Sequence, residues 1–402
     1  MRLIPAVLLA ALVLGACSGI SSTGKSLSER AGLATIWVSE RFAESSSPEA
    51  EPLEPFEATI EPRLIWRGRI DGEQDGYPKL QPVVLGDRIF SVSKNRRRVS
   101  ALQVGSGERL WSTTIGTPIS GGLGGGSGMI LAGTGEAQLI ALSAESGEQL
   151  WQARVSSEVL AAPQVRGGVV VVSTADGQLF GFSAADGREL WSVERDVPSL
   201  SLRGSAPPVL TANLAIQGFA NGRLTAVGLR TGFEAWDVAL AIPRGRTVLD
   251  RLVDADGAAV LSDDEDRVYT AAFQGRLAAV EVDTGEVDWG RDLSSYQGLA
   301  LNNYNVFATN VEGVVWSFDQ NTGGLYWNQG DLRHRGVTAP ATVDGYVVVG
   351  DADGYLHFLS DVSGKFAARL RLSESPIRLQ PMKVGDLLYV VHADGTIAAL
   401  KP

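Results

Sequence analysis

The sequence predicts an all-β fold, an eight-bladed β-propeller of four-stranded antiparallel blades, and three observations carry this prediction. A unit of four short apolar runs separated by turn residues recurs along the chain after Ile60. A tryptophan occupies the same place in seven copies, at intervals of 38 to 53 residues. The repeat begins with a single strand and ends with three, so the two chain ends together complete one blade. Four strands at a period near 40 residues are typical of a propeller blade.

The clearest copy shows how each element is assigned. Strand A is expected at residues 162–166, strand B at the β-branched run 169–173, and strand C at residues 178–183. Asp176-Gly177 lies between B and C and is a strong hairpin signal. Trp191 then lies on strand D. The order strand, turn, strand, turn, strand therefore predicts an antiparallel meander.

The recurring tryptophans follow a tight turn and lie on the outermost strand of each blade. There we expect them to dock against the neighbouring blade, because a large aromatic side chain buries much apolar area. These structural tryptophans are Trp66, Trp111, Trp151, Trp191, Trp236, Trp289 and Trp327. An eighth copy carries Arg369 in that place.

The two chain ends predict how the ring closes. Leu64–Ile70, around Trp66, is a strand D without strands A to C before it. Ile397–Pro402 is a strand C without a strand D after it. Pairing these two segments closes the ring and removes the open sheet edges that invite aggregation.

The N-terminus predicts a secreted, lipid-anchored protein. Residues 1–16 combine Arg2 with a ten-residue apolar run, too short to span a bilayer and typical of a signal peptide. Leu14-Gly15-Ala16-Cys17 resembles the lipobox of bacterial lipoproteins, which implies that the Cys17 sulfur carries lipid such as palmitate. Ser18 after the cysteine implies the outer membrane, at its periplasmic face. Residues 17–60 are interpreted as a tether and residues 61–402 as the propeller.

Composition narrows the classes of function and site. A formal net charge of −11 disfavours nucleic acid as a partner, since phosphate binding needs a basic footprint. A single cysteine excludes an intramolecular disulfide, and His334, His357 and His392 are scattered. We therefore expect neither a cofactor nor a bound metal.

Several local patterns are given structural interpretations. Residues 19–26 match the phosphate-binding P-loop letters, but they lack the preceding strand that such a loop requires. The glycine-rich run Gly121–Gly128 is interpreted as a turn between strands A and B. The acidic groups Asp351-Ala-Asp353-Gly354 and Asp263–Asp266 hint at calcium but lack a complete EF-hand loop, so solvated turn carboxylates are expected.

Two long connections predict where function lies. The widest spacings after the first copy, 191 to 236 and 236 to 289, each place their surplus between a strand D and the next strand A. All such connections lie on one rim of a propeller, and these two leave consecutive blades. Leucines with arginine and nearby carboxylates suit a protein interface, whereas the alternative is a loop that folds its leucines inward.

The repeat Ala-Leu/Val-x-x-x-[Thr/Ser/Asp]-Gly-Glu-x-x-Trp resembles the blades of PQQ-type propellers. With the lipobox, the acidic linker and eight copies, the chain resembles the BamB family of the outer-membrane β-barrel assembly machinery. Residues 198–204 and 250–256 are similar to two loops of that family. This resemblance implies binding to the POTRA domains of BamA, the barrel-forming subunit. The implied contacts are Leu200, Leu202, Arg203, Asp254 and Asp256, with Asp250 and Arg251 bracing the loop.

The resulting hypothesis is a non-enzymatic scaffold that supports insertion of β-barrel proteins. Direct contact with unfolded outer-membrane proteins is left open. The alternatives are a periplasmic quinoprotein-type dehydrogenase, for which the vicinal cysteines of those enzymes are absent, and a propeller that binds a ligand in its axial channel.

Overall fold

The computed structural model describes residues 50–70, 80–93, 97–196, 198, 206–242, 253–255 and 257–402. Every helix or strand among these residues is a β-strand, and the 32 strands form eight four-stranded antiparallel sheets. The predicted eight-bladed propeller is therefore confirmed. The described residues contain no helix of the length and apolarity needed to cross a membrane.

Blades 1 to 7 each contain four consecutive strands, which we call A to D in chain order. Blades 1 to 4 consist of β2 (Val83–Leu85), β3 (Arg88–Val92), β4 (Arg98–Gln103), β5 (Arg109–Thr114); β6 (Ile119–Gly126), β7 (Met129–Thr134), β8 (Gln138–Ser143), β9 (Gln149–Arg154); β10 (Gln164–Arg166), β11 (Val169–Ser173), β12 (Gln178–Ser183), β13 (Glu189–Glu194); and β14 (Val209–Leu210), β15 (Leu214–Gly218), β16 (Arg223–Gly228), β17 (Glu234–Ala239). Blades 5 to 7 consist of β18 (Val260–Leu261), β19 (Arg267–Ala271), β20 (Arg276–Glu281), β21 (Val287–Asp292); β22 (Leu299–Leu301), β23 (Asn305–Thr309), β24 (Val315–Asp319), β25 (Leu325–Gln329); and β26 (Ala341–Val343), β27 (Tyr346–Gly350), β28 (Tyr355–Ser360), β29 (Phe366–Arg371).

Blade 8 closes the ring from both chain ends. It consists of β30 (Met382–Val384), β31 (Leu387–Val391), β32 (Thr396–Lys401) and, as its strand D, β1 (Arg63–Arg69). β1 pairs antiparallel with β32 from Arg63 opposite Lys401 to Arg69 opposite Thr396. The predicted closure by the strand around Trp66 is confirmed, and one blade joins residues more than 300 positions apart.

The hydrophobic core is divided among the spaces between blades. Eight clusters of buried side chains are present, and each combines residues of two neighbouring blades. The cluster between blades 4 and 5, for example, joins Ile216 and Trp236 to Val268 and Val280. Each blade is therefore stabilised on both faces by apolar burial, the main favourable contribution to folding.

The strand-D tryptophans reach across these spaces. In every such tryptophan the indole Nε1–H donates to a backbone carbonyl of the next blade, as from Trp151 to Ala184 at 2.9 Å. The ring lies against the glycine of that blade's C–D turn, which for Trp151 is Gly187 at φ +70°. A bulge that skips the residue before each tryptophan re-aims the side chain, and in blade 3 the skipped residue is Leu190. Tryptophan and turn glycine together form one junction.

The junction between blades 7 and 8 is built differently. Blade 8 has no C–D turn, because its strand C ends the chain and its strand D is β1. Ala368, and not Arg369 as predicted, occupies the tryptophan place: it follows the bulge that skips Ala367, pairs with Phe358 and is 2% exposed in the core between blades 7 and 8. Arg369, one residue later, pairs with His357, and its guanidinium lies 5.0 Å from the ring centre of Phe56 and 5.3 Å from that of Phe366. We call residues 51–60, which pack on the outer strand of blade 7, the strap.

The strap follows the outer edge of blade 7. The Glu51 amide donates to the Arg333 carbonyl at 3.1 Å, and the Thr59 amide donates to the Ala367 carbonyl at 2.8 Å. Between them, the Phe56 ring stacks on Phe366 with centres 5.3 Å apart. Residues 51–60, which the sequence assigns to the tether, thus contact the propeller in this structure.

The glycine-rich run of blade 2 is a strand and not the predicted turn. β6 extends from Ile119 to Gly126, and only Ser127-Gly128 forms the turn. A Cβ on Gly124 would overlap the Pro163 carbonyl oxygen, and one on Gly121 would lie 2.6 Å from the Ala161 carbonyl oxygen. These glycines therefore allow the close approach of two backbones, which the composition alone did not distinguish from a turn.

Candidate partner-binding rim

The two rims of the propeller carry different connections. The D-to-A connections and B–C turns lie on one, which we call the loop rim; the A–B and C–D turns lie on the other, the turn rim. Hydrogen bonds tie neighbours on the loop rim, as from the Ala175 amide in a B–C turn to the Glu158 carbonyl in a D-to-A connection at 2.8 Å. The predicted interface loops leave β13 and β17, so both belong to the loop rim, over blades 3 to 5.

Most residues predicted to contact a partner lie outside the described residues. These are Leu200, Leu202, Arg203 and Asp256, together with the bracing pair Asp250 and Arg251. Cys17, the signal peptide and the P-loop-like segment 19–26 also lie outside them. Their roles stay predictions.

Asp254 is described, and it is buried. Asp254 is only 1% exposed, and its neighbours Val253 and Ala255 are 3% and 0% exposed. The Asp254 carbonyl accepts from the Phe273 amide at 2.7 Å, and its own amide donates back to the Phe273 carbonyl at 3.4 Å. This environment fits a residue that holds the loop in place better than the direct partner contact we expected.

Residues 253–255 are clamped between two B–C turns. Besides the pairing with Phe273 of blade 5, the Ala255 amide donates to the Phe219 carbonyl of blade 4 at 3.2 Å. A Cβ on Gly218 would overlap the Ala255 carbonyl oxygen, so glycine is required for this approach. The second connection is thus fixed to the rigid frame at residues 253–255.

The described part of the rim adds an apolar residue that the sequence analysis did not select. Ile242 is 60% exposed at the start of the second connection. It lines a cavity of about 330 Å³ together with Leu240, Val253, Arg276 and Asp292. An exposed isoleucine shortly after the end of a strand D could have indicated this part of the interface. The end of β17 was not predicted precisely enough from the sequence to identify Ile242.

The acidic groups weighed as calcium sites have ordinary partners. Asp351 is 0% exposed and ion-paired with Arg335 at 3.0 Å, so its interpretation as a solvated turn carboxylate is wrong. In the other group, Glu265 pairs with Arg166 at 2.8 Å, and the Ser262 hydroxyl lowers the pKa of Asp264 by donating to it. The described residues contain no group of three or more His, Cys, Asp and Glu side chains that could hold a metal ion.

The inner ends of the blades bear on the axial-channel alternative. The Gln380 amide nitrogen donates to the Pro340 carbonyl at 2.6 Å and to the Leu299 carbonyl at 3.2 Å, so this side chain lies across blades 6 to 8. The Gln81 amide nitrogen donates in turn to the Gln380 carbonyl at 2.8 Å. The side-chain nitrogens of Gln380 and Gln81 thus have partners within the propeller, and no contact among the described residues favours a ligand site there.

Comparison with known proteins gives one consistent family. Residues 95–329 and 311–402 match the family model described as outer membrane protein assembly factor BamB. Proteins with this name are 48% identical in Pseudomonas aeruginosa over 82% of this chain and 86% of that protein, and 32% identical in Escherichia coli K12 over 87% and 91%.

Solved structures agree with the sequence comparison. The crystal structure of BamB from Moraxella catarrhalis is similar at a TM-score of 0.77 and 29% identity, covering 85% of this chain and 100% of that one. A quinohemoprotein alcohol dehydrogenase from Comamonas testosteroni has a TM-score of 0.66 at 13% identity, covering 84% and 76%. At that identity the likeness concerns the propeller fold alone.

Proposed function

The chain belongs to the family of the outer membrane protein assembly factor BamB, and from that premise we propose that it scaffolds β-barrel assembly by binding the POTRA region of BamA through its loop rim. The family is named for assembly and not for catalysis, which confirms the expectation of a non-enzymatic protein. Acylated Cys17 would anchor the chain to the periplasmic face of the outer membrane. Two or more acyl chains suffice for stable anchoring.

One observation carries the proposal: the long connections of consecutive blades rise from the same rim, and one is fixed at Asp254. Functional residues commonly lie on loops that a rigid frame positions. The frame here is an uninterrupted ring of eight interblade cores. Leu200, Leu202 and Arg203 on one connection, with Ile242 and Asp256 on the other, would give an apolar centre with charges around it.

Co-purification tests this interface. Leu202→Glu and Arg203→Glu are expected to weaken binding to BamA by about 30-fold or more, the effect of losing an interface hot spot. Each variant is isolated from detergent-solubilised envelopes and probed for BamA, and its thermal unfolding is compared with that of the unaltered chain.

A matched control is available in blade 4 on the opposite rim. Phe233 is 79% exposed and follows the C–D turn, so Phe233→Glu introduces the same charge away from the proposed interface. We expect Phe233→Glu to retain BamA. Unchanged co-purification of both loop variants would refute the proposed interface, as would equal loss in the control.

A further inference from the structure

A chain of four polar side chains, three of them buried, lies beneath the strap. Asp351 and His357 are both 0% exposed. The Asp351 carboxylate accepts from Arg335 Nε at 3.0 Å and lies 3.1 Å from His357 Nε2. On the other side of the imidazole, Arg369 Nε donates to His357 Nδ1 at 3.3 Å. The four side chains therefore form a continuous chain in the order Arg335, Asp351, His357 and Arg369.

These contacts specify the protonation state of His357. A guanidinium has only donors, so Nδ1 must accept from Arg369 with its lone pair. The remaining hydrogen is then on Nε2, where it donates to Asp351. The geometry requires a neutral imidazole, because a protonated ring would present an N–H to the Arg369 N–H.

The same two arginines hold the strap. Arg335 donates from Nη1 to the Glu51 carbonyl at 3.0 Å, and Arg369 donates from Nη1 to the Glu54 carbonyl at 3.2 Å. Arg369 also lies over the ring of Phe56. Each arginine thus connects a strap carbonyl to the buried chain around His357.

We propose that protonation of His357 releases the strap from blade 7, so that residues 51–60 form an acid-sensitive latch. Protonation would remove the acceptor of Arg369 and place a third cation between two guanidinium groups. While the latch is closed, the strap begins beside Arg333 on the loop rim. After release, the first fixed residue would be Arg63, at the start of β1.

The charged groups around the imidazole all bear on this titration. Asp351 favours the cation, whereas Arg335 and Arg369 oppose it; Asp353 pairs with Arg335, and the Tyr355 ring lies 6.1 Å from the imidazole. Burial lowers the pKa of His357, and the two arginines lower it further against the opposing Asp351. With the strap open, Arg369 no longer has to hold its N–H against Nδ1, so the open form binds the proton more readily than the closed form and closure weakens as the pH falls.

Distance measurements by pulsed electron paramagnetic resonance test the latch in the full chain. Nitroxides are attached at Ala58→Cys and Ser363→Cys, both exposed positions, with Cys17→Ala removing the native thiol. A short, narrow distance is expected at pH 7.5. In acid, the ratio of closed to open strap should fall by up to about tenfold per pH unit, the limit for uptake of one proton.

Two variants and one titration assign the effect. His357→Gln keeps a neutral donor and acceptor and should leave the strap closed at pH 5. His392→Gln is the matched control, since His392 is also buried but lies 2.9 Å from the Ser375 carbonyl and not in this chain of contacts. A strap that stays closed at pH 5 in the unaltered chain overturns the proposal, and so does a His357→Gln strap that opens in acid.

Should His357→Gln fail to fold, a histidine-labelled sample decides by nuclear magnetic resonance. The chain has three histidines, and the midpoint of strap opening must coincide with the titration of His357. Midpoints that differ by more than one pH unit would refute the latch.

Discussion

Seven interblade junctions and the eighth use different chemistry for the same task. At the seven, a tryptophan donates to the next blade and covers the glycine of its C–D turn. At the eighth, the tryptophan place holds Ala368, a small side chain packed in the core between blades 7 and 8. The difference follows from connectivity, because a blade completed by both chain ends has no C–D turn to cover. The repeated tryptophan therefore occurs where the next blade has a C–D turn, and it is absent where the next blade has none.

The largest expected effect comes from emptying a tryptophan junction. Trp151 is 8% exposed, and Trp151→Ala should lower the free energy of unfolding by about 3–5 kcal/mol, the usual cost of a large cavity. Urea unfolding followed by far-ultraviolet circular dichroism measures this. Leu150 precedes it on the same strand at 52% exposure, and Leu150→Ala should change stability by less than about 0.5 kcal/mol. Equal effects at the two positions would contradict the junction.

The glycine partner of the same junction gives the next largest effect. In Gly187→Ala the new Cβ would lie 2.5 Å from a Trp151 ring carbon, at φ +70°, and we expect a loss of about 2–4 kcal/mol. Gly385 separates strain from overlap, since it has φ +59° with open space around it. Gly385→Ala should cost about 1–2 kcal/mol. If both substitutions cost the same in urea unfolding, the close contact contributes nothing.

The smallest effect sharpens the comparison at the eighth junction. Ala368→Trp restores the repeat residue, yet we expect a loss of about 1–2 kcal/mol, because the large ring must enter a packed core and no turn glycine is present for it to cover. Ala368→Leu serves as the control for added volume and should behave alike in the same assay. A clear stabilisation by Ala368→Trp would show that connectivity does not explain the exception.

The periodic part of the molecule was predictable from the sequence. Strand B at residues 169–173 and strand C at 178–183 occur where expected, since alternating apolar residues and Asp-Gly turns are local signals. The closing pair of β1 and β32 followed from counting incomplete copies. Such repetition makes a long chain easier to interpret than its length suggests.

Contacts between blades were not predictable. Gly121 and Gly124 were interpreted as a turn because glycine satisfies either a turn or a close backbone approach, and only the neighbouring strand decides between them. Asp351 was considered exposed because its local sequence does not show that Arg335, in the connection before blade 7, pairs with it. The strap escaped detection for the same reason, since its acidic, proline-containing residues are typical of a linker.

The strap also determines how a mechanical load would enter the ring. A pull applied directly at Arg63 would act on the end of β1 and separate it from β32 one residue pair at a time. With residues 51–60 attached along blade 7, a pull on the proposed tether would instead load the Glu51 and Thr59 contacts before any force reaches the closing pair. The strap would therefore protect the pairing of β1 with β32 from a force applied through the N-terminal tether.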